Sequence, residues 1–287
     1  MNLSNQIFSG ILTREGDSSF LLGVDGEKYF ESENIWEGYL LHWKGKPVCG
    51  RILPQKDYEN ELHIVILWPD IPDTGIPFVE LYYNERLVKY RMSSLGHNAI
   101  NVNGEIFNFS HLLNENEIIS TEEYFFRPAL GEFAPSPNNK KFEILENGRA
   151  YYDKFGRNFM RTIHVIRIEG LDTKQLSNIY CRELDIIRTT KPDKKRPEKY
   201  ADFNLFTRSC STIIRDGLHE IGHEKIKGIF PRDLFINTAY YFNGIKELNT
   251  RIYKMPQLTV KEAPPSALSP LFNLRNRKKV KQLNYKK

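Results

Sequence analysis

The first seventy residues alternate short apolar runs with turn-forming residues. Apolar stretches at Ile7–Leu12, Phe20–Val24, Tyr39–Trp43, Val48–Leu53 and Leu62–Trp68 are separated by turns such as Asp25-Gly26 and Lys44-Gly45-Lys46-Pro47. Runs of this length, rich in branched and aromatic residues, predict five strands and a small β-barrel or sandwich over residues 1–69. Residues 70–77, with Pro72 and Pro77, read as a stiff linker.

Beyond the linker the pattern changes. Phe78–Tyr83 reads as a strand, and His97–Val102 with Glu105–Phe109 reads as a hairpin about Asn103-Gly104, the strongest short hairpin signal. Thr162–Glu169 is a further strand. Asp172 is placed to cap a helix whose apolar positions are Leu176, Ile179, Leu184 and Ile187. A Lys/Pro loop over Lys191–Lys199 leads to a short strand near Tyr200–Leu205. A helix starts about Cys210, and another spans Asp233–Phe242. Residues 78–250 are thus expected to form one α+β domain. Pro264-Pro265 marks an irregular arm within 251–287.

With 287 residues, 40% hydrophobic and 27% charged, the chain has the composition of a folded globular protein of about two domains. Its longest strongly apolar run, His63–Trp68, is far below the roughly 20 residues that span a bilayer. The N-terminus lacks the basic and apolar regions of a secretory signal. Synthesis in the cytoplasm is expected, with any export left to a specialised secretion system. The net charge of +5 is a property of the end of the chain: Arg275, Arg277, Lys278, Lys279, Lys281, Lys286 and Lys287 have no acidic residue among them. A solvated tail is the preferred reading, ahead of one that binds nucleic acid or anionic lipid. Cys49, Cys181 and Cys210 are odd in number and far apart, against a disulfide framework or a cysteine-ligated zinc site.

Two segments carry candidate chemistry. In Arg208-Ser209-Cys210-Ser211-Thr212 the cysteine falls in the first turn of a helix, where unpaired amides and the macrodipole favour a thiolate. Cys210, Ile214, Leu218 and Ile221 share one face, which is expected to pack against the domain. In the hairpin, alternation puts Ile100, Val102, Phe107 and Phe109 on one face, and His97, Ala99, Asn101, Asn108 and Ser110 on the other. His97 then has Asn108 diagonally beside it. A thiol nucleophile needs a base, and the base needs an orienting group. A small buried cysteine and a surface histidine are the alternatives left open by the residues alone.

The order Gly96-His97 strand, Asn-Gly hairpin, helix after Ile168-Glu169-Gly170-Leu171-Asp172, Phe203-Asn204-Leu205-Phe206 and Arg208-Ser209-Cys210-Ser211-Thr212 resembles the circularly permuted papain-like (NlpC-type) thiol hydrolases. It is closest to the Lnb-type domains, and more distantly similar to the lecithin:retinol acyltransferase group. The resemblance covers roughly residues 78–245. It implies a permuted papain-like catalytic domain behind a small SH3- or OB-like barrel, with Cys210 as nucleophile, His97 as base and Asn108 as third member. Ser209 stands where such proteins often have Asn. Ser209 and Tyr200 are auxiliary candidates at the oxyanion. No cofactor is implied. Substrates would be peptidoglycan amides, lipid acyl groups or protein acyl groups, and the architecture suits a bacterial effector with an immunity or delivery protein as partner.

A rival motif lies in the same helix. His219-Glu220-Ile221-Gly222-His223 matches the zinc-peptidase pattern of two histidine ligands one turn apart with glutamate as base. Glu224 and Lys225 follow the second histidine, and Ile226 and Ile229 stand where an extended motif needs Gly and His. Glu247 is the remaining acidic ligand candidate. A third reading is a non-catalytic nucleic-acid or membrane binder with Tyr29, Phe30, Trp36, Tyr39 and Trp43 as a stacking surface, though core packing is the preferred role for these rings.

Overall fold

The computed structural model describes residues 6–56, 62–72, 74–86, 95–120, 124, 162–197, 199–255 and 271–283. The chain divides into two compact units, with the first break between Thr74 and Gly75.

The first unit is an antiparallel sheet of five strands in the order β3-β2-β1-β4-β5, from β1 (Phe8–Glu15), β2 (Ser18–Leu22), β3 (Lys28–Tyr29), β4 (Pro47–Lys56) and β5 (His63–Pro69). The expected barrel does not close. β3 is only two residues long, and the far edge is approached by one residue, Asn34, which exchanges backbone bonds with His63 and Val65 of β5. The expected strand Tyr39–Trp43 is a helix, α1 (Glu37–Trp43). Its buried positions are Tyr39, Leu40 and Trp43, while Leu41 is exposed. That is helical spacing, and the rings of Tyr39 and Trp43 stack one turn apart, 5.4 Å between centroids. Phe30, Tyr39 and Trp43 lie in the core; Tyr29 and Trp36 are half-buried.

The second unit is an antiparallel six-stranded sheet in the order β11-β10-β6-β7-β8-β9. Its strands are β6 (Phe78–Asn84), β7 (His97–Val102), β8 (Glu105–Asn108), β9 (Glu117–Ser120), β10 (Ile163–Glu169) and β11 (Asn249–Met255). The β7–β8 turn has φ +53 at Asn103 and +99 at Gly104, the left-handed pair that a two-residue hairpin loop demands. β9 and β11 are not legible in the sequence: β9 is only four residues long, and β11 lacks strict alternation.

Helices α2 (Thr173–Thr189), α3 (Cys210–Glu220) and α4 (Pro231–Asn243) supply the core on one face of this sheet. Asp172 caps α2 by accepting from the Gln175 amide at 2.9 Å, and Pro231 opens α4 at its first position, where a missing N–H costs nothing. Leu176, Tyr180 and Leu184 of α2 meet Ile214 and Leu218 of α3 and the strand residues Val79, Leu81, Ile100, Phe107 and Phe109 in one buried cluster. Tyr180 ties the layers together, its ring against Phe107 and Phe109 and its hydroxyl donating to the Ile214 carbonyl at 2.9 Å.

The other face of the sheet is polar and also buried. Glu80 accepts from Tyr82 (2.7 Å), Asn101 (3.1 Å), Tyr253 (2.9 Å) and Arg167 (3.1 Å). Arg167 also reaches Glu169 at 3.3 Å and lies 3.6 Å over the Phe78 ring. Burial, reinforced by the Glu80 charge, pushes the phenols of Tyr82 and Tyr253 well above their ordinary range, so both remain hydrogen-bond donors.

Two expectations for the C-terminal side are corrected. Residues 200–205 form a turn in which Asn204 Oδ1 accepts from the amides of Phe206 (2.9 Å) and Thr207 (3.2 Å), a side-chain mimic of a backbone turn. The basic segment is ordered, with Leu271 and Leu283 packed while Arg275, Arg277, Lys278 and Lys281 stay exposed. A short helix, α5 (Arg277–Lys281), lies on α4, with Leu271, Asn276 and Leu283 buried and Arg232 donating to the Phe272 carbonyl at 2.6 Å. Pro264-Pro265, Lys286 and Lys287 fall outside the described residues. Among the described residues no helix is long and apolar enough to cross a membrane.

Candidate active site

β7 begins immediately after Gly96, which holds φ +76 and lets the chain pass close to β6. A Cβ at Gly96 would lie 2.5 Å from the Asn84 carbonyl. Gly96→Ala is therefore expected to cost about 1–3 kcal/mol and to shift the histidine beside it. Urea unfolding measures the first effect, and the His97 ring resonances in NMR report the second.

The pairing of Ala99 with Asn108 sets His97 and Asn108 diagonally on one face, and the imidazole Nε2 lies 2.7 Å from Asn108 Oδ1. Asn108 is itself oriented, because its Nδ2 donates to the Glu115 carbonyl at 2.7 Å. A carbonyl can only accept, so the amide nitrogen faces Glu115 and the amide oxygen faces the ring. Nε2 of a neutral His97 must then carry the hydrogen, which leaves Nδ1 as the basic nitrogen. The Glu115 loop is fixed in turn by Ser110, whose hydroxyl donates to Glu115 Oε2 at 2.6 Å and whose amide donates to Asn116 Oδ1 at 2.9 Å.

Cys210 occupies the first position of α3, with Ser209 as its N-cap. The Ser209 amide donates to Thr212 Oγ1 at 2.7 Å and the Thr212 amide to Ser209 Oγ at 3.5 Å, a closed capping box. Two of the four first-turn amides are used this way. Those of Cys210 and Ser211 lie between them, ahead of the first intrahelical acceptor. The Ser209 hydroxyl thus serves the helix end. Cys210 is half-buried against the core cluster, its Sγ 3.8 Å from Ser211 Oγ. Tyr200 lies alongside, its hydroxyl 3.4 Å from the Arg208 carbonyl. Burial pushes the Tyr200 phenol above its ordinary range, with the Arg208 charge opposing and the nearby Cys210 thiol adding to the shift.

The two segments meet through their neighbours. Ser211 Oγ donates to Asn98 Oδ1 at 3.0 Å, and Asn98 Nδ2 donates to the Tyr82 carbonyl at 2.9 Å. Asn98 was not singled out in the sequence, although the hairpin alternation already placed it on the Ile100 face that meets the helices. By the same alternation His97 belongs to the opposite face, on the rung where Asn84 pairs with it and the β6–β7 ladder ends. The cysteine and the histidine therefore flank one hydrogen-bonded pair at the same end of β7, with His97 at the terminus of the strand.

The zinc motif does not form a ligand pair. α3 ends at Glu220, and Gly222 turns the chain with φ +94, so the two histidines are not on one continuous helix. His219 Nε2 is directed at the Ile226 carbonyl at 2.7 Å, His223 Nδ1 at the Tyr241 hydroxyl at 3.3 Å, and Glu220 pairs with Arg182 at 2.6 Å. Among the described residues no group of three or more His, Cys, Asp or Glu side chains is arranged around a metal position. Glu247 joins no such group. Burial holds His223 below its ordinary value of 6.5. Such a group stabilises the fold fully above its unfolded pKa, and the contribution falls as pH drops toward the folded value. Melting temperature is expected to decline below about pH 6.5, and less steeply in His223→Gln.

No protein family, curated protein or solved structure matches this chain.

Proposed function

We propose that the second unit is a cysteine-dependent hydrolase or acyl transferase acting on an amide or ester carbonyl. The observation that carries this reading is the end of β7, where an imidazole with its tautomer set by Asn108 stands one residue from Asn98, the partner of the residue after Cys210. With Nε2 committed to Asn108, Nδ1 is the nitrogen of His97 that can accept the thiol proton.

The chemistry follows from those groups. His97 takes the Cys210 proton, and the thiolate attacks the carbonyl carbon. The C=O electron pair moves to oxygen, where the amides of the first α3 turn stabilise the charge. Collapse breaks the bond to the amine or alcohol, which leaves with the proton from the imidazolium. Water or an acceptor amine then attacks the thioester, giving its proton to His97, and the sulfur departs as the thiol. Peptidoglycan amides and lipid or protein acyl groups all present the required carbonyl.

The test is a labelling contrast. All three cysteines are partly exposed, so accessibility alone would label them alike. An ordinary thiol is only a few per cent ionised at pH 7. Iodoacetamide followed by mass spectrometry is expected to modify Cys210 at least about ten times faster than Cys49 and Cys181, with His97→Ala erasing the difference. Equal rates at the three positions would overturn the proposal.

A further inference from the structure

We propose that the surface around the start of α4 is a docking surface for an anionic membrane. Five apolar side chains are exposed there: Leu205 (40%), Phe206 (58%), Ile229 (39%), Phe272 (56%) and Leu274 (76%). They gather around the residues that open α4. The Phe206 ring sits 6.1 Å from Phe230, Ile229 precedes Phe230, and the Arg232 bond to the Phe272 carbonyl brings the 272–274 strand of chain to the start of α4. Single exposed apolar residues are ordinary, but several gathered together are the mark of an interaction site.

The same surface is cationic. Ile229 and Phe230 line a groove of about 660 Å³ together with Arg215, Lys227, Arg275 and Lys279. Three carboxylates also face it. Asp216 is paired with Arg215 at 2.7 Å and Asp233 with Arg232 at 3.9 Å, which leaves Glu224 against Lys227, Arg275 and Lys279. Exposed Arg277, Lys278 and Lys281 extend the positive charge along α5, where no acidic residue occurs. A nucleic acid would satisfy the cations and leave Leu205, Ile229 and Leu274 in water, since aliphatic side chains offer no stacking plane. An anionic bilayer satisfies both, accepting the apolar group at the headgroup–acyl boundary and the cations among the phosphates.

This docking does not depend on thiol chemistry, so Cys210→Ala serves alongside the native chain. Co-flotation is measured with vesicles of phosphatidylcholine alone and with about one third phosphatidylglycerol. Expected is binding to the anionic vesicles at least about tenfold tighter than to the neutral ones and weakened by salt, the same for both proteins. At about 1 kcal/mol per cation, Arg275→Glu with Lys278→Glu lowers the affinity about thirtyfold or more. Phe206→Ser with Leu274→Ser lowers it about tenfold or more. All four positions are exposed, and an unchanged melting temperature confirms folding. No vesicle binding, equal binding to both compositions, indifference to either pair of substitutions, or tighter binding to an RNA oligonucleotide than to vesicles would overturn the proposal.

Discussion

Cys210→Ala is expected to lower turnover of activated esters and amides by about a thousandfold or more, with the fold unchanged. The side chain is half-buried at the first position of α3, outside the capping box that Ser209 and Thr212 close without it. Its removal therefore takes away the nucleophile and little of the packing. His97→Ala is expected to cause a loss of similar size, and the double variant no more than either alone, because a nucleophile without its base and a base without its nucleophile fail at the same step. Asn108→Ala keeps both reacting groups and removes what sets the imidazole tautomer. Its loss is smaller, about ten- to a hundredfold, with a shifted pH profile. Hydrolysis of a p-nitrophenyl ester panel measures all four. Full activity in Cys210→Ala would remove the thiol from the mechanism.

Arg167→Met is expected to be the most damaging single substitution for the fold, costing about 3–5 kcal/mol in urea unfolding. Among the described residues Arg167 is the only cation in a buried group with two carboxylates, bonded to Glu80 at 3.1 Å and to Glu169 at 3.3 Å. Taking it away leaves both carboxylates buried, with the neutral donors Tyr82, Asn101, Tyr253 and Asn249 as their partners among the described residues. Arg167→Lys keeps the charge but not the fork that reaches both partners or the flat stack on Phe78, and is expected to fall between the two. Unfolding that is unchanged in Arg167→Met would mean the carboxylates find water or another cation.

Much of the second unit was legible because its signals are local. Asn103-Gly104 fixes a two-residue turn, the turn fixes the register, and the register places His97 beside Asn108. Asp172 and Pro231 mark helix starts through backbone groups that a nearby side chain or a missing N–H must settle. The same local logic failed where two periods compete. Tyr39–Trp43 has strand-forming residues but buries them at helical spacing, and only the neighbouring sheet decides which faces count as inside. His219 to His223 matched a helical motif whose helix ends between its two histidines.

Sequence alone determined the hairpin register, the capped helix starts and the candidate side chains His97, Asn108 and Cys210, because each follows from contacts a few residues long. Tertiary structure decided the rest. It showed that the first sheet stays open, that the basic segment lies on α4, and that Asn98 and Ser211, 113 residues apart, are the point where strand and helix join. Those outcomes depend on which surfaces are buried against each other, a property of the packed chain that no short stretch of it carries.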